Sequence, residues 1–258
     1  PPLFFLLIRR PPLSTLFPYT TLFRSLNPMS FLSALPGNIA QGIIWGLMGL
    51  GVFLTFKLLN FADLSVDGSF ATGGAVTAVM LINGCPVWAT IIVAILAGLA
   101  AGLVTGLLHT LLGIPDILAG ILTQIALYSI NLNIMGKSNL PISYRNYTLV
   151  VSASNINMAI LVGLGICAVV IAAMYWYFGT EQGSTIRSTG SNPAMSKAQG
   201  ININFTKVIA LALSNGLVAL SGSLFAQYQG FADINMGRGA IVIGLAAVII
   251  GEVHGEAI

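Results

Sequence analysis

Charge is the scarcest property of this sequence: Asp, Glu, Lys and Arg make up 7% of its 258 residues, where an ordinary soluble domain carries roughly 25%. So few charges cannot cover a water-soluble fold, and that class is excluded. Cysteine is limited to Cys85 and Cys167, isolated in or beside apolar segments. Without a CxxC spacing they read as small buried hydrophobes. No spacing of His, Cys and carboxylates suggests a metal site. The tripeptide GKS at 136–138 would need a glycine five residues before Gly136 to form a phosphate-binding loop, and that position is Asn131. Nucleotide binding is therefore not expected in this chain, nor is any cofactor.

What is present is apolar length. Hydrophobic residues make up 56% of the chain, in runs that recur along nearly the whole sequence and reach the roughly 20 residues needed to cross a bilayer as a helix. The first segment, PPLFFLLIRRPPLSTLFPYTTLFRS, stands apart: it has four prolines in its first twelve residues, a fifth at Pro18, and no uninterrupted run of spanning length. Arg9 and Arg10 follow its apolar run, whereas a signal peptide places its charge first. The segment resembles the translated read-through of a sequencing adapter. Residues 1–28 are thus expected to be non-native, with Met29 the expected start and 29–258 one transmembrane domain. Setting aside Arg9, Arg10 and Arg24 leaves seven basic against seven acidic residues, so the formal charge of +3 falls to zero. No nucleic-acid partner is implied.

Apolar runs and their interruptions predict spans near 38–56, 68–83, 87–108, 115–135, 158–178 and 204–228, with a seventh beginning near 239. NGCP at 83–86 reads as a tight turn, 136–157 as a loop, and 180–204 as the longest polar segment. Tyr175, Trp176, Tyr177 and Phe178 form an aromatic cluster of the kind found at a membrane interface. Lys57, Arg187, Lys197 and Lys207 lie on the side of the 180–207 loop; Lys137, Arg145 and Arg238 lie on the other. That count barely favours a cytoplasmic 180–207 loop.

Gly98, Gly102 and Gly106 recur every four residues on the third span, as Gly42 and Gly46 do on the first, a pattern that lets helices pack closely in lipid. An internal echo carries more information. Phe61-Ala62-Asp63 returns as Phe231-Ala232-Asp233, and at the same offset of 170 residues Gly74 falls on Gly244. Five spans separate the copies, the parity of an inverted-topology repeat.

Acids near membrane helices need a pair, a cap or water. Asp67 can cap the second span, and Asp116, after Pro115, sits in the first turn of the fourth. The alternative, compatible with capping, is that NFADLSVDGS is a re-entrant segment whose Asp63, Ser65 and Asp67 face a polar path. Asp63, Ser65, Asp67, Asp116 and Asn215 are the candidate pathway residues. Gln124, Asn131, Asn133, Ser214, Ser221, Ser223 and Gln227 read first as interhelical hydrogen-bonding groups and second as pathway groups. Ser221 or Ser223 with His109 or His254 could suggest an intramembrane protease, but small-residue packing explains the serines more simply.

Three stretches, GLMGLGVFLTFKLLNFADLSVDGSFATGGAV, IPDILAGILTQIALYSINLNIMGKSN and GSTIRSTGSNPAMSKAQGI, together resemble the permeases of ABC importers of the branched-chain amino acid and ribose type. They are most similar to the subgroup paired with binding proteins for aromatic amino acids and related solutes. The resemblance implies an all-helical, type II importer-like bundle in the bacterial inner membrane. It also implies a homodimer of permeases, two cytoplasmic ATPase subunits and an extracytoplasmic solute-binding protein. Asn192, Pro193, Ala194, Lys197, Ala198 and Gly200 match the short helix that docks into the ATPase in related permeases, which places 180–204 in the cytoplasm. Further spans are implied beyond GLAAVIIGEV, so HGEAI is expected to be a second assembly error and the chain a fragment. An autonomous secondary transporter or channel is the competing reading, and a sugar or nucleoside importer permease the lesser one.

Overall fold

The computed structural model describes residues 28–142, 149–151 and 156–256, with side chains from 35 to 253. The N-terminal segment, Arg145 and the His254 side chain lie outside the described residues. Helix α1 (Pro28–Phe53) passes directly into one turn of π-helix, Leu54–Leu58. There follow α2 (Val66–Ile82), α3 (Val87–Leu111), α4 (Asp116–Met135), the short strand β1 (Asn139–Pro141), α5 (Ile156–Phe178), α6 (Glu181–Ser191), α7 (Pro193–Ala198), α8 (Ile203–Gln229), strand β2 (Phe231–Asp233) and α9 (Ala240–Glu256).

All seven expected apolar segments are helical, but they are not equivalent. Five are long and apolar enough to cross a membrane: Leu35–Leu58, Val87–Leu111, Asp116–Met135, Ile156–Phe178 and Ile203–Gln229. Val66–Ile82 and Ala240–Val253 are shorter apolar helices. At 17 residues, α2 is about 25 Å long, less than the hydrocarbon core of roughly 30 Å.

Helix α8 is the axis of the bundle: 78% of its apolar window is buried, against 11% for α5 at the periphery. Small residues allow this. Side chains at Gly73 of α2 and Gly222 of α8 would be driven into the backbone carbonyls of Ala219 and Phe70, so the two helices touch main chain to main chain. Beside that contact Trp45 of α1 stacks on Phe70 at 5.2 Å between ring centroids, and Phe225 of α8 meets both rings edge-on or tilted. Hydroxyls on α8 reach the same neighbours: Ser214 donates to the Gly51 carbonyl at 2.8 Å and Ser221 to that of Ile44 at 2.6 Å. Thr77 of α2 donates to Ser223 at 2.7 Å. These are the interhelical bonds that mid-span serines predict. With Ser221 and Ser223 so engaged, and His109 bonded to the Ile114 carbonyl and Lys207, no protease constellation forms among the described residues.

Three contacts sort the ends of the bundle. Lys57 pairs with Glu252 of α9, and Gly190 of α6 lies on the Leu58 carbonyl, which puts the π-turn, the α6–α7 hairpin and the late part of α9 at one end. At the other end β1 and β2 pair antiparallel, with Asn139 opposite Asp233 and Pro141 opposite Phe231.

Candidate functional site

Between the π-turn and α2 the chain turns back into the bundle. Asn60 takes a left-handed conformation (φ 52°), which Asn tolerates better than most residues. The segment then descends until Asp63 meets Asn215, the thirteenth residue of the 27-residue α8. Asp63 Oδ1 accepts from the Ser65 N–H at 2.8 Å and from the Ser65 hydroxyl at 2.5 Å, and its Oδ2 accepts from Asn215 Nδ2 at 2.7 Å. Asn215 Oδ1 in turn accepts from the Ser69 hydroxyl at 2.6 Å. Helix α2 therefore starts about halfway through the bundle, which is why it is short.

This re-entrant turn has the expected shape, but its polar groups do not face water. Asp63, Ser65 and Asn215 are all buried and spend their hydrogen bonds on one another, because a carboxylate taken out of water needs donors at close range. They form a fastening that holds the turn to the middle of α8, and in this structure none of the three is open to water. The Asp116 carboxylate accepts from the adjacent Ile117 N–H at 3.0 Å in the first turn of α4, as expected of its place after Pro115, and does not line the cavity described below.

Asp67 does line a cavity, though its cap is not the expected one. Its carboxylate serves α9 rather than its own helix, with Oδ2 accepting from the Gly239 N–H at 3.1 Å and Oδ1 from the Ile241 N–H at 2.9 Å. Anions are favoured at this position, where the first N–H groups of a helix lack partners. The echo seen in the sequence is also visible in the backbone. Asp233 Oδ1 accepts from the Asn235 N–H at 2.7 Å, the same two-residue turn that Asp63 makes with Ser65. Position 237 is the counterpart of position 67, and a side chain at Gly237 would collide with the Asp67 carbonyl. Equivalent points of the two copies thus touch, as they must where a pseudo-twofold axis passes.

Beside this axis lies a cavity of about 340 Å³, lined by Asp67, Gly68 and Ala71 of α2, Gln124, Ile125, Tyr128 and Asn131 of α4, and Ile234 and Arg238 from the turn before α9. Its volume falls in the range of small-molecule sites, about 300–1,000 Å³. Asn131 is only 1% exposed, and neither its amide nitrogen nor its amide oxygen has a hydrogen-bond partner among the described residues. Leaving both unmet costs free energy, and such a group needs an explanation. Arg238 and Tyr128 were not among the predicted site residues. The repeat was the available signal, since continuing the second copy past Asp233 leads to Arg238.

At the other end α7 stands out from the bundle. Asn192 caps it, its Oδ1 accepting from the Met195 N–H at 3.0 Å. Pro193 follows at the first helical position, where its missing N–H costs nothing. Gly200 ends the segment at φ +84°. Pro193, Ala194, Lys197 and Ala198 are exposed, Met195 is 57% exposed, and only Ser196 faces inward. Helix α6 anchors this projection: Arg187 donates to the Phe178 carbonyl at 3.1 Å, and Gly190 sits against Leu58 and Leu59.

Of the predicted packing glycines, Gly98, Gly102 and Gly106 all lie on the α8 backbone, against Asn215, Leu211 and Val208 respectively. Gly42 and Gly46 meet nothing within 4 Å among the described residues, so their spacing makes no helix contact there.

Residues 37–257 match the family described as the branched-chain amino acid transport system permease component. A tyrosine transport system permease protein of Clostridioides difficile is 45% identical over 221 residues, 85% of this chain and 73% of its own length. An uncharacterized protein of Rickettsia prowazekii is 32% identical over 83% of this chain and 75% of its own length. The D-allose transport system permease of Escherichia coli is more distant, 27% identical over 89% and 71%. No solved structure matches. A bundle of membrane helices built on an inverted repeat is thereby placed in a family: this chain belongs to the permease components of branched-chain amino acid type transport systems, the multi-pass, inner-membrane subunits of bacterial ABC importers.

Proposed function

We propose that this permease carries an amino acid, of the aromatic kind named for its Clostridioides difficile relative, from an extracytoplasmic binding protein to the cytoplasm, as one half of a homodimer. The cavity beside the contact of the two repeat copies at Asp67 and Gly237 carries this reading, by analogy with secondary transporters of inverted-repeat design, which bind solute where their repeats meet. Helix α4 supports the dimer. It leaves Tyr128, Ser129 and Asn133 exposed on its outer half, and polar side chains are costly against lipid but suited to a water-filled path or a second copy.

ATP hydrolysis belongs to partner subunits, which seat on α7. Its exposed Pro193, Ala194 and Met195 offer a small apolar surface on a capped, rigid helix. Nucleotide-driven movement of α7 passes through α6 to the π-turn by way of the Gly190 contact with Leu58, and from there to the Asp63 turn and the start of α2. The test is reconstitution of the permease with its ATPase and binding protein in proteoliposomes, with labelled tyrosine outside. Uptake requiring ATP and both partners is expected. Ala194→Glu should leave the permease folded and abolish uptake while any hydrolysis that remains no longer responds to solute. Uptake by the permease alone, or unaltered coupling in the variant, rejects the reading.

A further inference from the structure

We infer that the cavity beside Asp67 is a recognition site for the paired charges of a zwitterion, so that the permease itself, and not only a binding protein, selects solutes bearing both a carboxylate and an ammonium group. The inference rests on the importer reading and adds to it the chemistry of the site. Two opposite charges line the same small cavity: the Asp67 carboxylate on α2 and the Arg238 guanidinium in the turn before α9. They are not paired with each other, since the ion pair found among the described residues is Lys57 with Glu252. Asp67 is held in place by the N–H groups of Gly239 and Ile241. Those two bonds leave part of the acceptor capacity of a carboxylate, about four lone-pair sites, open toward the cavity.

Asn131 is the second, independent observation. Its amide is buried and lacks any partner on either the donor or the acceptor side, and it lines the cavity together with Gln124. A sugar would satisfy Asn131 and Gln124 but would leave the Arg238 guanidinium and the open acceptor sites of Asp67 unused. A monocarboxylate or a monoamine would use only one of them. A solute with both groups on neighbouring atoms answers Arg238, Asp67 and Asn131 together, since guanidinium binds carboxylate with a two-toothed fork. Tyr128 and Ile125 supply an aromatic and apolar wall for its side chain.

The experiment measures equilibrium binding to the purified full chain in detergent, without partner subunits. The probes are L-tyrosine, tyramine, which lacks the carboxylate, and 3-(4-hydroxyphenyl)propionate, which lacks the ammonium. Tyrosine is expected to bind about ten-fold or more tightly than either analogue, in keeping with the loss of one charged hydrogen-bonded contact. Arg238→Gln should weaken tyrosine by a similar factor and leave tyramine unchanged. The exposed position of Arg238 makes that variant safe for folding, whereas Asp67 is left intact because it caps α9. Asn131→Leu, which removes an unmet buried amide, should fold at least as well as the parent and also bind tyrosine more weakly. Equal binding of the three probes, no effect of Arg238→Gln, or no saturable binding overturns the inference. Stimulation of the partner ATPase by solute-loaded binding protein is measured in parallel. If stimulation persists without selective binding, the site falls and the importer reading stands; if it is absent in the parent complex, the importer reading falls and the binding data still decide the site.

Discussion

Asn215 is the residue on which most of the internal polar chemistry converges. It donates to Asp63 and to the Leu211 carbonyl, at 2.7 and 3.0 Å, and accepts from Ser69. Replacing it by Leu leaves the Asp63 carboxylate short of a donor in a site without water access, which costs about 1–3 kcal/mol or more for a charged group. Asn215→Leu should therefore lower the melting temperature of the detergent-solubilised protein clearly. Asn215→Asp places a second carboxylate against the first and should be at least as damaging. If the Leu variant melts like the parent, the fastening does not hold the re-entrant turn. The acid at 63, the hydroxyl at 65 and the amide at 215 were each visible in the sequence as polar residues in apolar company. Their pairing was not, because it joins positions about 150 residues apart, and no local pattern distinguishes a group facing water from one facing another polar group.

The packing of α3 on α8 shows which small residues matter. A methyl group on Gly102 would be forced into the Leu211 carbonyl and against Ala212 Cα, and neither can move without displacing the helix that forms the axis of the bundle. Gly102→Ala should cost about 1–3 kcal/mol, the usual range for overpacking, and lower the melting temperature. Gly42→Ala, at a position with nothing within 4 Å, should be neutral or stabilise slightly, since Ala is the better helix former. Equal melting temperatures for the two variants would contradict the assigned contact. Both glycine runs have the same spacing, so only the structure separates the run that packs from the run that does not. Span positions were far more legible: the ends of α3, α4, α5 and α8 fall within a few residues of where hydropathy places them, because bilayer thickness imposes a length that composition reports directly. Hydropathy alone does not show the half-depth start of α2, since an apolar run looks the same whether it begins at the interface or at mid-depth; the acids of NFADLSVDGS were what pointed to a re-entrant segment there.

Across the whole molecule, the proposed solute cavity beside Asp67 and the proposed docking helix α7 lie in different parts of the bundle, and coupling them requires something stiff between. The joint runs from α7 through α6 to the π-turn, and its narrowest point is Gly190, whose Cα side faces the Leu58 carbonyl with no room for a side chain. From Leu58 the chain continues through Asn60 and the Asp63 fastening to Asp67, which holds the first turn of α9. The late part of α9 returns to the π-turn through the Lys57 and Glu252 pair. The two repeat copies and the hairpin therefore form a closed mechanical loop, in which displacing α6 must disturb the cavity wall at Asp67. Gly190→Val pushes α6 off the π-turn while leaving the exposed surface of α7 unchanged. The variant should still co-purify with the ATPase but lose most of the solute-stimulated hydrolysis and uptake. Gly165→Val, on the peripheral α5 with nothing within 4 Å, serves as the matched control and should behave as the parent. Full stimulation in Gly190→Val would show that the push reaches the cavity by another route; failure of the variant to co-purify would show that α6 positions α7 rather than relaying its motion.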